Sequence, residues 1–589
     1  MSNSIGQTPL KGIPFAHPNK PMPVHLKHKP EESHEAAGIR AKDIGFDRSS
    51  DDPDKGLFDW VFGKPDPSTP ATPEPLQFKL GQATLRGHWA NDVEHNKYPT
   101  TRYEIRTFMP AGQDGQIAAV DFQQLLEARR IPSPPSQTFV VTQKQVDKAI
   151  KQTGQERQQQ LEKGAVPGDR VVPKDASLNP TDVTMYLRST GDVSTRYAQQ
   201  LSRIGEIEGF HVVAGIGGSA SSFKSTLDGY QNVSLMEVPH GEVWVEDYSE
   251  PSLAKGQITP AIFDDGYSGG LVSEAIREGR KERYRGTGLD GAYAYHGAVN
   301  QGKFQQTALA RGTVTKGPLR QALSYLEGGN IFTGSRANGE GYVLVGKDSF
   351  HVTRRLLEKQ TGHDWSEAEV SKVIAADLGL DATNVVPVEQ PGAFHLDMRL
   401  TAVAPGEIML NDSKAACEQQ LNWMKESVQR ALDKGEITQK QADKQLAKIK
   451  DRAEDMRAQA AKMAPYEEMT AKDLRKAGIT VHRVGGAFVD PSQPDRDTAN
   501  YFNARHFTNE QGERISVMMG GQSHEEAFMA QKFFELSHGT VSRLHFLDPS
   551  VTQKTLDLWG GLKCRTKPEG DLISQQQLQQ PAQAKLQVG

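Results

Sequence analysis

The chain has 589 residues, a net charge of −5 and a pI of about 6.4, with hydrophobic residues at 36% and aromatics at 7%. That balance makes no case for binding nucleic acid or an anionic membrane through bulk charge, and no run of about 18 or more apolar residues offers a membrane span. Two cysteines, Cys417 and Cys564, cannot build a disulfide framework and fit a reducing compartment; with an N-terminus that lacks the apolar core of a secretory signal, the expectation is a soluble, cytoplasmic protein.

Residues 1–75 are rich in Pro, Lys, Asp, Ser and His and end in GKPDPSTPATPEP, whose prolines support neither helix nor central strand. They read as a disordered N-terminal region. Residues 76–181 read as a small N-terminal domain or linker. LQFKLGQATLRGHW and TTRYEIRTFM alternate like strands, SPPS at 133–136 punctuates, and TQKQVDKAIKQTGQERQQQLEKG is a polar helix. From residue 182 the texture changes. β-rich runs (VTMYLR, FHVVAGI, GEVWVED) alternate with helical stretches (STRYAQQLSRIGEIEG, SGGLVSEAIREGRKERY), and this continues through residue 570, predicting an α/β domain. Residues 412–463 carry almost no β-branched clusters and predict a helical hairpin inserted into it, with Thr438 and Gln441 as the capping box of the second helix. The tail 571–589 is low-complexity and reads as disordered.

Four stretches place reactive side chains where strands should end. In VWVEDYSEP, Asp247 follows an apolar run; in YLEGGNIFTG, Glu327 precedes a glycine pair; in GAFHLDMRLTAVAPGEIML, His395 and Asp397 stand two apart, on one face if the stretch is a strand. In LWGGLKCRTK, Cys564 follows Gly560 and Gly561 and stands between Lys563 and Arg565. Carboxylates raise the pKa of a neighbouring thiol and oppose an anionic nucleophile, so three of them suit a cysteine only when the substrate is a cation. A planar guanidinium matches carboxylates bidentately. Two acids could hold it while Cys564 attacks its central carbon and His395 shuttles the proton.

The order and wording of these stretches resemble the guanidino-group-modifying (pentein) superfamily: arginine, agmatine and peptidylarginine deiminases and the arginine–glycine amidinotransferases. LEGGNI resembles its glutamate–Gly–Gly motif, FHLDM with APGEIML its H-x-D motif, and GGLKC its Gly-Gly-x-x-Cys. The resemblance spans residues 182–570. It implies a five-fold pseudosymmetric propeller of ββαβ units, with Cys564 as nucleophile, His395 as general acid and base, Asp247 and Asp397 as the guanidinium clamp, and Glu327 binding substrate or orienting His395. Asn503, in NYFNAR, is a candidate substrate contact on a looser match. It implies a covalent amidino-cysteine intermediate, resolved by water in a deiminase or by an amine in a transferase, with no cofactor and no metal. Two departures mark this chain: Lys563 stands where many agmatine deiminases have His, and Glu246 precedes Asp247 where small-molecule members have Arg.

Other readings compete. Cys417, in SKAACEQQLNWM, reads as a helical core residue. AGIGGSASSFKST (214–226) lacks the spacing of a phosphate cradle. The expected activity is Cys-dependent hydrolysis of a guanidino group on arginine, agmatine or a protein arginine. One alternative is amidino transfer. Another is a bacterial effector, delivered into a host cell without a cleavable signal peptide, that acts on host-protein arginines or binds without catalysis, meeting its partner through the N-terminal region and the hairpin 412–463.

Overall fold

The computed structural model describes residues 77–80, 83–86, 105–111, 116–132, 134–261, 269–289, 291, 305–558 and 560–573. The readings of residues 1–75 and of the tail beyond residue 573 fall outside them; Asp571 and Leu572 still pair, at the end of the strand Thr566–Leu572. The described chain is a mixed α/β protein of several sheets.

One connection recurs. A strand pairs antiparallel with the next, a helical segment follows, and the strand after it returns parallel to the second. Glu250–Pro251, Gln257–Thr259 and Leu319–Gln321 build one such unit. Ile331–Ser335, Gly341–Gly346 and Val385–Val388 build another. Leu400–Ala404, Glu407–Asn411 and Thr480–Val484 follow, then Arg505–Thr508, Arg514–Met518 and Val541–Phe546. A fifth joins distant parts of the chain: Thr566–Leu572 pairs antiparallel with Leu178–Leu187, which runs parallel to His211–Gly217. The strand His211–Gly217 is covered on both faces, which is why VVAGI runs apolar after His211 rather than alternating. Val212, Ala214 and Ile216 enter one core and Val213 another.

The hairpin forms from Ser413–Asp433 and Gln439–Lys476, the second helix running further than the sequence suggests, and the Thr438–Gln441 capping box is present. It occupies the helical position between Glu407–Asn411 and Thr480–Val484. Leu421, Met424 and Val428 pack against Ile449, Ala453 and Met456 at helical spacing. Residues read as an N-terminal domain or linker supply strands to two shared sheets. Arg106–Ala111 pairs with Val541–Phe546 and Thr138–Val140 with Val233–Val238. The helix Gln143–Lys163 is likewise packed, with Val146 and Ala149 in a core with Met236 and Leu309. Among the described residues no helix is long and apolar enough to cross a membrane.

Candidate active site

The predicted site residues share one structural position. Each lies in a short turn just before the first strand of a unit. Asp247 lies in the 3₁₀ turn Val245–Tyr248, Glu327 caps Gly328–Asn330, His395 caps Leu396–Met398 with Asp397 inside it, and Cys564 is central in Lys563–Arg565. Asn503 precedes Arg505–Thr508 in the same way. The turns of Asp247, Glu327 and Cys564 touch one another, and that of Glu327 touches the His395 turn. Two sequence expectations are corrected. GEVWVED is not a strand: Val243 and Val245 are apolar because they enter a core, while Glu246 is buried among cations. His395 and Asp397 do not share a strand face, because the 3₁₀ turn begins between them.

The glycine pairs permit the approach. A Cβ on Gly329 would stand 2.1 Å from His395 Nδ1, and one on Gly561 would stand 2.4 Å from Asn503 Oδ1. Backbone therefore lies where side chains would block the histidine and the cysteine turn.

Asn503 is committed to that turn. Its Oδ1 accepts from Lys563 N at 2.6 Å and Cys564 N at 3.4 Å, and its Nδ2 donates to Cys564 Sγ at 3.3 Å. The thiol is 2% exposed. Burial pushes it well above its ordinary pKa, Asp397 and Asp247 add to this, and the Gly561 backbone and the Asn503 amide oppose it. His395 Nε2 lies 3.1 Å from Glu327 Oε1, off the line of a well-aligned hydrogen bond, and Nδ1 lies 3.8 Å from Asp247 Oδ1. Burial pulls the imidazole down, but Asp247, Glu327 and Asp397 outweigh it and hold it at about 9. Asp247 accepts from Gly329 N at 3.2 Å. Burial drives its carboxyl up, His395 counters, and Glu327 and Asp397 add to the rise, leaving it at about 7.

Asp397 is fully buried, and neither carboxylate oxygen has a hydrogen-bond partner among the described residues. Lys563 Nζ stands 3.7 Å from Asp397 Oδ2 and 5.0 Å from the centre of the Phe332 ring, also without a hydrogen bond. Burial lowers this ammonium to about 8 despite Asp397. A buried carboxylate without a hydrogen bond is costly, and the Lys563 ammonium at 3.7 Å is the charge that faces it. Behind the His395 turn lies a cavity of about 390 Å³, bounded by Phe394, Met398 and Arg399 and by Cys417, Met456 and Met463 of the hairpin. Cys417 itself is buried in the hairpin core, its thiol pushed up by burial to about 11.

Sequence reasoning missed the layer that supports these turns: Lys174, Glu246, Arg505 and Lys567, all buried. Only Glu246 carried a signal, as the residue standing before Asp247 where the family's small-molecule members have Arg.

No family model matches the chain, and no curated protein matches it by sequence. Among solved structures it is similar to C. jejuni agmatine deiminase, at 11% identity over 70% of this chain and 98% of that one, with a TM-score of 0.40. A chain described as a candidate peptidyl-arginine deiminase matches at 12% identity over 68% and 99%, with a TM-score of 0.41. The amidinotransferase SxtG of the saxitoxin biosynthetic pathway from Microseira wollei matches at 11% identity over 69% and 99%, with a TM-score of 0.26. At these TM-scores the likeness adds nothing to the geometry above.

Proposed function

We propose that the chain is a guanidino-group-modifying enzyme of the pentein type whose five ββαβ units close into a propeller around Cys564, and that it hydrolyses the guanidino group. The observation that carries this is the convergence of Asp247, Glu327, His395 and Cys564 in equivalent turns, with a carboxylate on Asp397 that no hydrogen bond satisfies among the described residues. The cationic substrate lies between Asp247 and Asp397. Its charge offsets the two carboxylates that raise the thiol, so Cys564 releases its proton to solvent as substrate binds. The thiolate bonds to the guanidino carbon, and the carbon–nitrogen bond to one amino group breaks. His395, protonated at neutral pH, gives that nitrogen its proton and ammonia leaves. His395 then takes a proton from water as the hydroxide attacks the amidino-thioether, and the carbon–sulfur bond breaks to release the ureido product. Asn503 holds the nucleophile's turn throughout.

The test is citrulline and ammonia formation from free arginine, agmatine and an arginine-containing peptide, by wild type and Cys564→Ala. Product from wild type alone is expected, and the preferred substrate separates small molecule from protein. Release of an ornithine-type amine without ammonia, once an acceptor amine is added, would assign the chain to amidino transfer instead. Product formation by Cys564→Ala would refute the nucleophile.

A further inference from the structure

A second layer of charge underlies the catalytic turns, and the reaction above does not use it. Glu246 is fully buried and meets Lys174 Nζ at 2.6 Å, Arg505 Nη2 at 2.6 Å and Lys567 Nζ at 3.0 Å. Burial alone would raise its carboxyl; Arg505, Lys174 and Lys567 hold it well below the usual range. Glu250 adds a second carboxylate, 2.8 Å from Lys174 Nζ and 3.3 Å from Lys567 Nζ.

Lys174 reaches beyond this pair. Its Nζ also donates to Gly328 O at 2.9 Å and Ile331 O at 2.6 Å, the carbonyls at the two ends of the turn that Glu327 caps. One ammonium thus ties the Asp247 turn to the Glu327 turn. Those are the two carboxylates that flank His395, one at each ring nitrogen. The stretch around Lys174 is itself stitched in place: Val172 N donates to Pro251 O and Lys174 N to Thr333 O, both at 2.8 Å. Stability is a weak reason for such an arrangement, since a buried charge network can often be exchanged for apolar packing at no loss. Fixed spacing between the turns is the better one.

We propose that Lys174 is a positioning residue: it sets the separation of Asp247 and Glu327 about His395, and so makes the stretch 171–177, which precedes the α/β texture of the sequence, part of the catalytic unit. The chemistry of this role rests on the proposed function; the geometry does not.

The experiment uses the full chain as wild type, as Lys174→Met, and as the charge-balanced pair Lys174→Met/Glu250→Gln. The latter removes one cation with one carboxylate and decides the matter if the single variant does not fold. Cooperative unfolding is checked first. The first readout is the titration of His395, followed by NMR of labelled histidines and assigned with His395→Gln. If the turns drift apart, the His395 midpoint falls by about one pH unit or more. If Lys174 contributed only its charge, its removal would leave the turns in place and raise the midpoint. The second readout is citrulline formation, where a displacement of about 1 Å is expected to cost kcat ~100-fold while KM moves little. A midpoint unchanged or raised in the folded variants overturns the proposal. Should even wild type form no product, the titration still decides the role of Lys174, and the failure then belongs to the proposed reaction.

Discussion

Asp247→Asn should make the protein more stable and leave it inactive. The carboxyl is 13% exposed and is held at about 7, against 3.8 in the unfolded chain, chiefly by burial. A raised carboxyl binds its proton more tightly in the folded state, so folding bears a cost that is absent below pH 3.8, grows as pH rises toward 7 and is constant above it. At about 1.4 kcal/mol per pH unit this amounts to ~4 kcal/mol at most. Asparagine resembles the neutral carboxyl in shape and removes that cost. Urea unfolding should show a gain of ~0.5 kcal/mol at pH 4, ~3 kcal/mol at pH 6 and ~4 kcal/mol at pH 8, the attraction to His395 being already contained in the value of about 7. Citrulline formation should fall by at least ~100-fold, as when one preorganised electrostatic contact is removed. An asparagine variant no more stable than wild type at pH 8 would refute the reasoning, because the ionised carboxylate would then be well accommodated without substrate.

Four further outcomes are expected. The pH profile of kcat/KM should be bell-shaped, rising through about 7 as Asp247 ionises and falling through about 9 as His395 loses its proton; a profile still rising at pH 10 would remove His395 as the acid. His395 is raised above its ordinary 6.5, so its contribution to stability is complete below that pH and is lost as pH climbs through about 9. Lys563→Met should stabilise the fold by up to ~3 kcal/mol at pH 6–7, since an ammonium lowered from 10.5 to about 8 costs stability below pH 8 and nothing above 10.5; thermal melts at pH 6.5 and pH 10.5 compare the two regimes. Gly329→Ala should cost ~1–3 kcal/mol and most of the activity, because its Cβ would stand 2.1 Å from His395 Nδ1; a near-wild-type kcat would show that the turn yields.

The candidate site residues could be picked out of the sequence because they stand beside glycine pairs or at short spacings, and the structure places them in equivalent turns. Their local setting was not legible. GEVWVED has the apolar content of a strand, yet Val243 and Val245 enter a core from an irregular segment and Glu246 is buried in an ion cluster. The period-two reading of His395 and Asp397 failed because a 3₁₀ turn starts between them. Thr138–Val140 is only three residues long, too short for alternation to show that it pairs with Val233–Val238. Lys174 was least visible of all. A lysine in a polar stretch signals solvent, and only its partners, 72 or more positions away in sequence, reveal that it is buried.

The two layers of charge explain one another. Carboxylates held together away from water favour one another's protonation, as Asp247 shows, raised by burial first and then by Glu327 and Asp397. Screening them from above would fill the clamp. Beneath the same turns Lys174, Arg505 and Lys567 surround Glu246 and reach the turn backbone. The Glu246–Asp247 pair is therefore divided within two residues: one carboxylate anchors the buried cations, and the next faces His395 and the Gly329 backbone.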